Sequence, residues 1–253
     1  MPRGLGGNEA PDGAHEALVL GHATCEVCRE ITRKLEEDCL VGMMGPARKR
    51  LGLTRKDRRS PTSKILVRRP GDAEDDMTIE EMMNKHLIGG MVLPAYRSAQ
   101  CFSNATEKDL GVDYKIIIAR GAEFPEGVHS VGVSLNADAA IFARLLAKIA
   151  LGVAVAKTGW DTFIPLVQGI ILGTDSFYQR RVGGFCEEIP EPEKLPALHH
   201  IQMNTHDGLL VVEIQLFANH GGPRNYVAVG SLTKNYLTSK RVRSNRALLI
   251  NLK

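Results

Sequence analysis

The chain has 253 residues, of which 43% are hydrophobic and 24% are charged. This composition is typical of a globular protein and excludes a disordered chain. Five cysteines without a secretory signal favour a reducing, cytoplasmic location, in which the thiols are free or bound to metal. The longest apolar stretch, residues 141–173, is interrupted by Arg144, Lys148, Lys157 and Asp161. We therefore expect it to form protein core and not a membrane span.

The charges are unevenly distributed, although the net charge is only +3. Between positions 48 and 69 the single acid Asp57 stands among basic side chains. Such a segment is typical of a surface that binds a polyanion, because each neutralised phosphate releases counterions. A solvated basic loop is the alternative. The predicted nucleic-acid-binding residues are Arg48, Lys49, Arg50, Arg55, Lys56, Arg58 and Arg59, and a second basic cluster comprises Lys240, Arg241, Arg243 and Arg246.

The first part of the chain predicts a loop, a short strand and a helix. Residues 1–15 are rich in Gly and Pro, and residues 16–20 form a short apolar run. A helix is expected to follow, since apolar side chains recur at four-residue spacing until Gly45-Pro46 ends the pattern. Its apolar face comprises Val27, Ile31, Leu35, Cys39 and Met43.

The middle of the chain predicts strands at residues 64–67, 114–119 and 128–135. Residues 78–81, Thr-Ile-Glu-Glu, match a capping box and predict a short helix that ends at Gly89-Gly90. We expect the methionines of this helix, Met82 and Met83, to pack in the core.

A long helix is predicted after a cap at Asn136 or Asp138, with a broad apolar face and a break at Gly159. A second apolar helix over residues 161–172 would complete a helical hairpin. After a polar, proline-rich connector at residues 187–196, three apolar runs separated by turns predict an antiparallel meander. The fold class is therefore α+β, with a small module at residues 1–69 and a larger α+β domain at residues 70–253.

Cys25 and Cys28 form a CxxC motif at the predicted start of the first helix, and three interpretations compete. A helix N-terminus lowers the pKa of a thiol, as a dithiol oxidoreductase requires. Two thiolates at this spacing can also supply half of a tetrahedral zinc site, with two further ligands from elsewhere. The pair can finally be two thiols without a function. The motif alone leaves all three open.

The histidines give a weaker signal. His15 and His22 are the ones nearest to the cysteines and can ligate a metal or polarise water, although a loop or strand-end position also explains them. The predicted meander carries His199, His200, His206 and His220, which form a metal site only if the strand register aligns them.

Three stretches, PRGLGG, ALVLGHATCEVCREITRKLEEDCL and KRLGLTRKDRR, together resemble the HNH endonuclease family, in particular its bacterial, zinc-stabilised type. In that family an acidic-His-Ile-Ile-Pro motif runs into a Leu-Gly-Gly loop, and a strand and a helix with CxxC at its start follow. Residues 143–173 and 215–218 also look like the C-terminal domain that accompanies such modules. The resemblance implies a ββα-metal remnant at residues 1–69 and structural zinc on Cys25 and Cys28.

The same resemblance implies that the partner is nucleic acid, most simply DNA, and that a catalytic divalent metal such as Mg²⁺ supports phosphodiester hydrolysis. The family's general-base histidine precedes Ile-Ile-Pro, whereas this chain starts at Met1-Pro2, and Arg29 stands where the family often has Asn. The catalytic residues are therefore unknown. We expect either a truncated enzyme or a degenerate relative that binds without cutting, and a dithiol oxidoreductase is the third hypothesis. No membrane is expected as a partner.

Overall fold

The computed structural model describes residues 25–53, 62–71, 78–83, 86, 88–102, 110–118, 121, 123–124, 126–128, 130–132, 136–184, 194–233 and 248–250. The helices are α1 (Glu26–Glu37), a π-helix (Asp38–Met43), α2 (Gly45–Arg50), α3 (Ala139–Thr158) and α4 (Gln168–Leu172). The strands are β1 (Thr62–Arg68), β2 (Thr78–Met83), β3 (Gly90–Tyr96), β4 (Val112–Ile118), β5 (Ser130–Gly132), β6 (Phe163–Pro165), β7 (Val182–Gly183), β8 (His199–His206), β9 (Leu209–Leu216), β10 (Arg224–Leu232) and β11 (Leu248–Ile250). The α+β class predicted from the sequence is confirmed.

Helix α3 is the long buried helix that the sequence predicts. Asp138 caps it, since its side chain accepts a hydrogen bond from the N–H of Ile141 at 2.9 Å. Gly159 ends it with φ 82°, a conformation that glycine adopts without strain. The inward side chains Phe142, Leu146 and Ala150 are fully buried. The helix packs on strands β9 and β10 and thereby forms the core.

The predicted three-stranded meander is also confirmed, as strands β8, β9 and β10. Strand β8 pairs with β9 from His199 opposite Leu216 to His206 opposite Leu209. Asp207 and Gly208 both have positive φ, as the two-residue turn between twisted antiparallel strands requires. Strands β11 and β6 extend this sheet at its two sides. The sheet therefore provides the flat surface on which α3 lies.

Helix α1 is shorter than the predicted helix and continues as a π-helix. Leu35, Cys39 and Met43 of the predicted apolar face are buried, whereas Val27 at the start of the helix is 70% exposed. Gly45-Pro46 does not open a loop, because Pro46 stands in the first turn of α2, where its missing N–H costs nothing.

The prediction of a helix from the capping box at residues 78–81 is wrong, since these residues lie in strand β2. Strand β2 pairs antiparallel with β1, which places Glu81 opposite Lys64, and Glu80 makes an ion pair with Arg69 at 2.7 Å. These cross-strand contacts override a local helix signal. Met83 is 48% exposed, so the predicted core position of this methionine is wrong as well.

The predicted helical hairpin is also wrong. A 3-10 turn (Trp160–Thr162), strand β6 and the short helix α4 replace the second helix. Pro165 disfavours a helical conformation at Ile164, and strand β6 instead pairs with β10. Strand β3, which contains Pro94, was not predicted, and it pairs with the confirmed strand β4.

Contacts cross the domain boundary predicted near Arg69. Leu35 and Met43 belong to the same hydrophobic cluster as Phe142 and Leu210, and strand β1 pairs with both β2 and β5. The boundary itself stays a prediction.

Within the described ranges, α3 is the one helix that is long and apolar enough to cross a membrane. Half of the most apolar 18-residue stretch of α3 is buried in the protein, and the helix lies at the centre of the core. For α3 this agrees with the prediction that residues 141–173 form core, whereas Trp160 and Ile164 beyond the helix are 51% and 63% exposed. The arrangement is compatible with a soluble protein.

The close approach at Gly222 gives a test of the corner between β9 and β10. A Cβ at Gly222 would lie 1.8 Å from the carbonyl oxygen of Leu216. We expect Gly222→Ala to lower the free energy of unfolding by roughly 3 kcal/mol or more, because backbone must move. Gly208→Ala is the matched control, since its site is open and only the positive φ opposes a side chain, at a cost of about 1 kcal/mol. Urea denaturation measures both variants, and equal losses contradict the expectation.

Candidate functional site

The two thiols lie at the exposed start of α1. Cys25 is the N-cap residue, and its Sγ accepts a hydrogen bond from the backbone N–H of Cys28 at 3.4 Å. Cys25 is exposed and Cys28 is partly exposed. Both thiols of the CxxC motif are therefore at one helix terminus and within reach of a ligand from solution.

The two thiols are not equivalent. The N–H of Cys28 and then its thiol lower the pKa of Cys25, because these donors stabilise the thiolate. The pKa of Cys28 is raised, first by its hydrogen bond to Cys25 and then by burial and charge repulsion from the neighbouring sulfur. Cys25 therefore ionises first, and a bound cation would favour ionisation of both.

The other described cysteines are less suited to ligand binding. Cys39 is fully buried, its Sγ lies 3.8 Å from the carbonyl oxygen of Ile141, and burial raises its pKa to about 12. Burial also raises the pKa of Cys101. Among the described cysteines, reactive thiol chemistry therefore belongs to Cys25 and Cys28.

The thiol pair fits two positions of a tetrahedral zinc site. Thiolates are preferred zinc ligands, and a CxxC at a helix start is a common source of two of them. Among the described residues no group of three or more His, Cys, Asp or Glu side chains is arranged to hold a metal. The remaining two ligands must come from elsewhere, and His15 and His22 lie outside the described residues.

Two of the predicted phosphate-binding arginines make structural contacts. Arg48 donates to the carbonyl oxygen of Leu40 at 2.8 Å, and burial lowers its pKa. The guanidinium of Arg50, only 10% exposed, donates to the carbonyl oxygen of Gly121 at 3.1 Å and lies 3.5 Å from a carboxylate oxygen of Glu123. These arginines hold α2 to its neighbours, which reduces their capacity to bind phosphate.

Of the other predicted basic residues, only Lys49 lies among the described residues. Lys49 lies on α2 between the two structural arginines and also has an interaction within the chain. Arg55, Lys56, Arg58 and Arg59 lie outside the described residues, as do Lys240, Arg241, Arg243 and Arg246. Helix α1 and the π-helix stand between the thiol pair and α2 along the chain. The side-chain hydrogen bonds of Arg48 and Arg50 go to carbonyl oxygens of Leu40, Leu53 and Gly121 and not to the thiols.

A cleft between α1 and α3 carries basic side chains that the sequence analysis did not select. It has a volume of about 480 Å³ and is lined by Arg33, Lys34 and Arg144 together with Glu30 and Asp38. Arg33 forms ion pairs with Glu30 and Glu37, and Arg144 donates to the carbonyl oxygen of Ile171. Sequence reasoning missed this site because α3 follows α1 by about a hundred residues, and no local pattern shows that they pack together.

The histidines of the meander do not form a metal site. His199 and His200 are neighbours on β8 and so point to opposite faces of the sheet. The Nδ1 atom of His199 accepts a hydrogen bond from the N–H of Phe217 at 3.1 Å, which requires a neutral ring. His206 and His220 stand at the ends of strand β8 and of a 3-10 turn, as the turn interpretation predicts.

No protein-family model, no curated protein and no solved structure matches this chain. The resemblance to the HNH family therefore rests on the quoted sequence stretches alone.

The largely buried His199 predicts a pH-dependent stability. Burial lowers its pKa from 6.5 to about 4, so between these values the unfolded chain binds more protons than the folded one. The free energy of unfolding is expected to fall as the pH drops from 6.5, by about 3 kcal/mol in total. Below pH 4 this contribution is exhausted.

His199→Asn is the control, because its amide oxygen can accept the same bond without titrating. Urea denaturation at several pH values should show a shallower loss for His199→Asn than for the unchanged protein. Since the carboxylates titrate in both, the difference isolates His199, and parallel curves would show that the ring is not held neutral.

Proposed function

We propose that the chain is a nucleic-acid-binding protein related to the HNH endonucleases, with Cys25 and Cys28 as two ligands of a structural zinc ion. Its basic segment at residues 48–59 binds phosphates of DNA. If the family's general-base histidine and a divalent metal such as Mg²⁺ are also present, this arrangement would hydrolyse phosphodiester bonds, and without them the chain would bind nucleic acid without cutting it. We place this activity in the cytoplasm, where thiols stay reduced.

The observation that carries the proposal is the geometry of the thiol pair. Both side chains are accessible at the first turn of α1, and an N–H donor already stabilises the sulfur of Cys25. Helix N-termini favour negative charge, and here this favours the thiolate of Cys25, the first of the two that zinc requires. Zinc, when bound, would supply a fixed point for the chain before α1. The acidic side chains Glu26, Glu30 and Glu37 of α1 pair with arginines of the same helix, and Glu36 pairs with Lys148 of α3.

Helix α1 is held to the rest of the protein, so a zinc ion at its start would have a fixed position relative to the core. The Nζ atom of Lys148 lies 2.5 Å from a carboxylate oxygen of Glu36, which joins α1 to α3. Leu35 is buried in the shared core. A ligand held at Cys25 and Cys28 would therefore be held relative to the whole core.

A phosphodiesterase further needs a general base, and neutral imidazole is the usual one. His199 cannot fill this role, since its Nδ1 is engaged and the ring is buried. His15 and His22 are the histidines of this chain nearest to the thiols in sequence. Arg29 makes an ion pair with Glu26, so it does not replace the family's asparagine as a metal ligand.

A dithiol oxidoreductase is the second candidate, and the opposite pKa shifts of Cys25 and Cys28 favour it. In this role the pair would give up two electrons and two protons to an oxidised disulfide substrate and form the Cys25–Cys28 disulfide. The raised pKa of Cys28 suits a resolving thiol, whereas the lowered pKa of Cys25 suits the attacking thiolate.

Zinc content separates the two candidates. We expect the purified protein to contain about one zinc ion per chain, and both Cys25→Ser and Cys28→Ser to lose it. Cys101→Ser is the matched control, because Cys101 is partly buried and its backbone N–H pairs with the carbonyl oxygen of Arg180, and it should keep the metal. Elemental analysis measures the content. A protein without zinc that reversibly forms the Cys25–Cys28 disulfide, seen by peptide mapping, supports the oxidoreductase instead.

The salt dependence of DNA binding tests the basic segment. The triple variant Arg55→Ala, Lys56→Ala, Arg58→Ala should lower the slope of log affinity against log salt by about 3. The control removes the same charge elsewhere, through the exposed residues Lys157, Arg180 and Lys194, and should leave the slope nearly unchanged. Fluorescence anisotropy with a labelled duplex gives both slopes.

Cleavage is measured separately, with supercoiled plasmid and Mg²⁺. Nicking that EDTA abolishes identifies an enzyme, and salt-sensitive binding without nicking identifies the inactive binding module. Equal slopes for the two triple variants would remove the basic segment from the proposal, and no binding even at low salt would end it.

A further inference from the structure

The solvent-exposed face of strand β4 is apolar, although the exposed face of a strand normally carries polar side chains. Tyr114, Ile116 and Ile118 are 53%, 66% and 63% exposed. The alternate residue Ile117 is buried, and the charged Asp113 and Lys115 stand on its side of the strand. Exposed apolar side chains in a row mark an interaction surface.

The same strand also has an unused backbone edge within the described ranges. Strand β4 pairs with β3 alone, in a two-stranded sheet. The N–H of Arg97 donates to the carbonyl oxygen of Gly111, so the hydrogen-bonded pairs of this ladder fall on odd-numbered residues of β4. Pro94 agrees with this register, because it stands opposite Tyr114 and has no N–H to donate. The backbone groups of Val112, Tyr114 and Ile116 therefore point outward.

We propose that two copies of this chain associate through β4, whose strands pair antiparallel about a twofold axis at Tyr114. A long apolar edge strand is a template for another strand, and a twofold axis requires only one self-complementary surface. The outward backbone groups of Tyr114 pair with those of Tyr114 in the second copy. The two-stranded sheets of the copies then form one four-stranded sheet.

Charge complementarity selects this register. With Tyr114 on the axis, Asp113 lies opposite Lys115 of the second copy, and the symmetry creates this pair twice. The pair occupies a position without backbone hydrogen bonds, where opposite side chains come closest. The alternative axis at Ile116 would instead place Lys115 opposite Ile117. Only the Tyr114 register gives each charge an opposite charge.

The apolar face is complementary in the same register. Ile116 lies opposite Val112 of the second copy, and Ile118 lies opposite Leu110. Each side chain of the exposed row therefore gains an apolar neighbour, which stabilises antiparallel pairs.

Asp113 has one partner within its own chain, Arg97, at 3.8 Å. Both side chains are about half exposed, so this ion pair is weak. Lys115 also has an interaction within its chain. The pair between copies therefore adds to existing contacts, and its contribution must be separated from theirs by a charge exchange.

Sedimentation velocity over a range of protein concentrations tests the proposal. The unchanged protein should form a dimer. Asp113→Lys and Lys115→Asp each place like charges opposite each other twice, so each should raise the dissociation constant about tenfold or more. The double variant Asp113→Lys, Lys115→Asp restores opposite charges between the copies and should restore the dimer. Circular dichroism confirms that each variant is folded.

Disulfide trapping gives a second measurement that does not depend on the charge variants. The variant Tyr114→Cys should cross-link to its copy under mild oxidation, because the two positions face each other on the axis. Ile116→Cys is the control and should not cross-link to itself, since its copy lies several residues away. Peptide mapping identifies the bonds in the presence of the native cysteines.

Restored dimerisation in the double variant together with selective cross-linking at position 114 supports the proposal. A monomer at all concentrations would overturn it. A dimer whose dissociation constant is unchanged in both Asp113→Lys and Lys115→Asp would also rule out this interface. Cross-linking at position 116 instead of 114 would do the same. None of these results depends on zinc or DNA.

Discussion

The burial of helix α3 determines where the other described elements lie. One side of α3 packs on the meander, and small residues such as Ala147 and Ala154, both fully buried, allow close contact. The other side meets α1 and the π-helix, where Cys39 lies against the carbonyl oxygen of Ile141. The candidate zinc site stands at the exposed end of α1. Its position relative to the rest of the protein is therefore set by core packing and not by the thiols themselves.

The parts of the fold that the sequence predicts well are those whose own periodicity matches their surroundings. Helix α3 has an apolar face wide enough to define it, and Asp138 marks its start. Strands β8 to β10 alternate or run apolar between clear turns. By contrast, the sequence of residues 78–81 favours a helix, but these residues pair with β1 as a strand. Strand β3 was not predicted, because proline is unusual within a strand and Pro94 lies in it. Both errors arise where contacts between distant segments decide the structure, and a local pattern holds no information about them.

The candidate site divides in the same way. A CxxC at a helix start is a local feature, so the position of Cys25 and Cys28 on α1 follows from the sequence. The partner of a basic side chain cannot be read from the local sequence, because the side chain can bind phosphate or a carbonyl oxygen of its own chain. Arg48 and Arg50 do the second, and Gly121, whose carbonyl oxygen Arg50 binds, lies far away in sequence. A count of positive charges therefore overstates the phosphate-binding capacity of α2, and the cleft that brings Arg33 near Arg144 could not be predicted.

The chemistry of the thiol pair favours a cation over an isolated dithiol. Two sulfurs at one helix terminus share the stabilisation that the terminus offers, and the first thiolate raises the pKa of the second. A divalent ion at this place would remove that repulsion, since it would bind both thiolates and displace both protons. The carboxylate of Glu26 is paired with Arg29 and does not add to the negative charge. Under the proposed zinc site, metal binding would therefore be coupled to proton release, and the affinity for zinc would rise with pH until Cys28 is ionised.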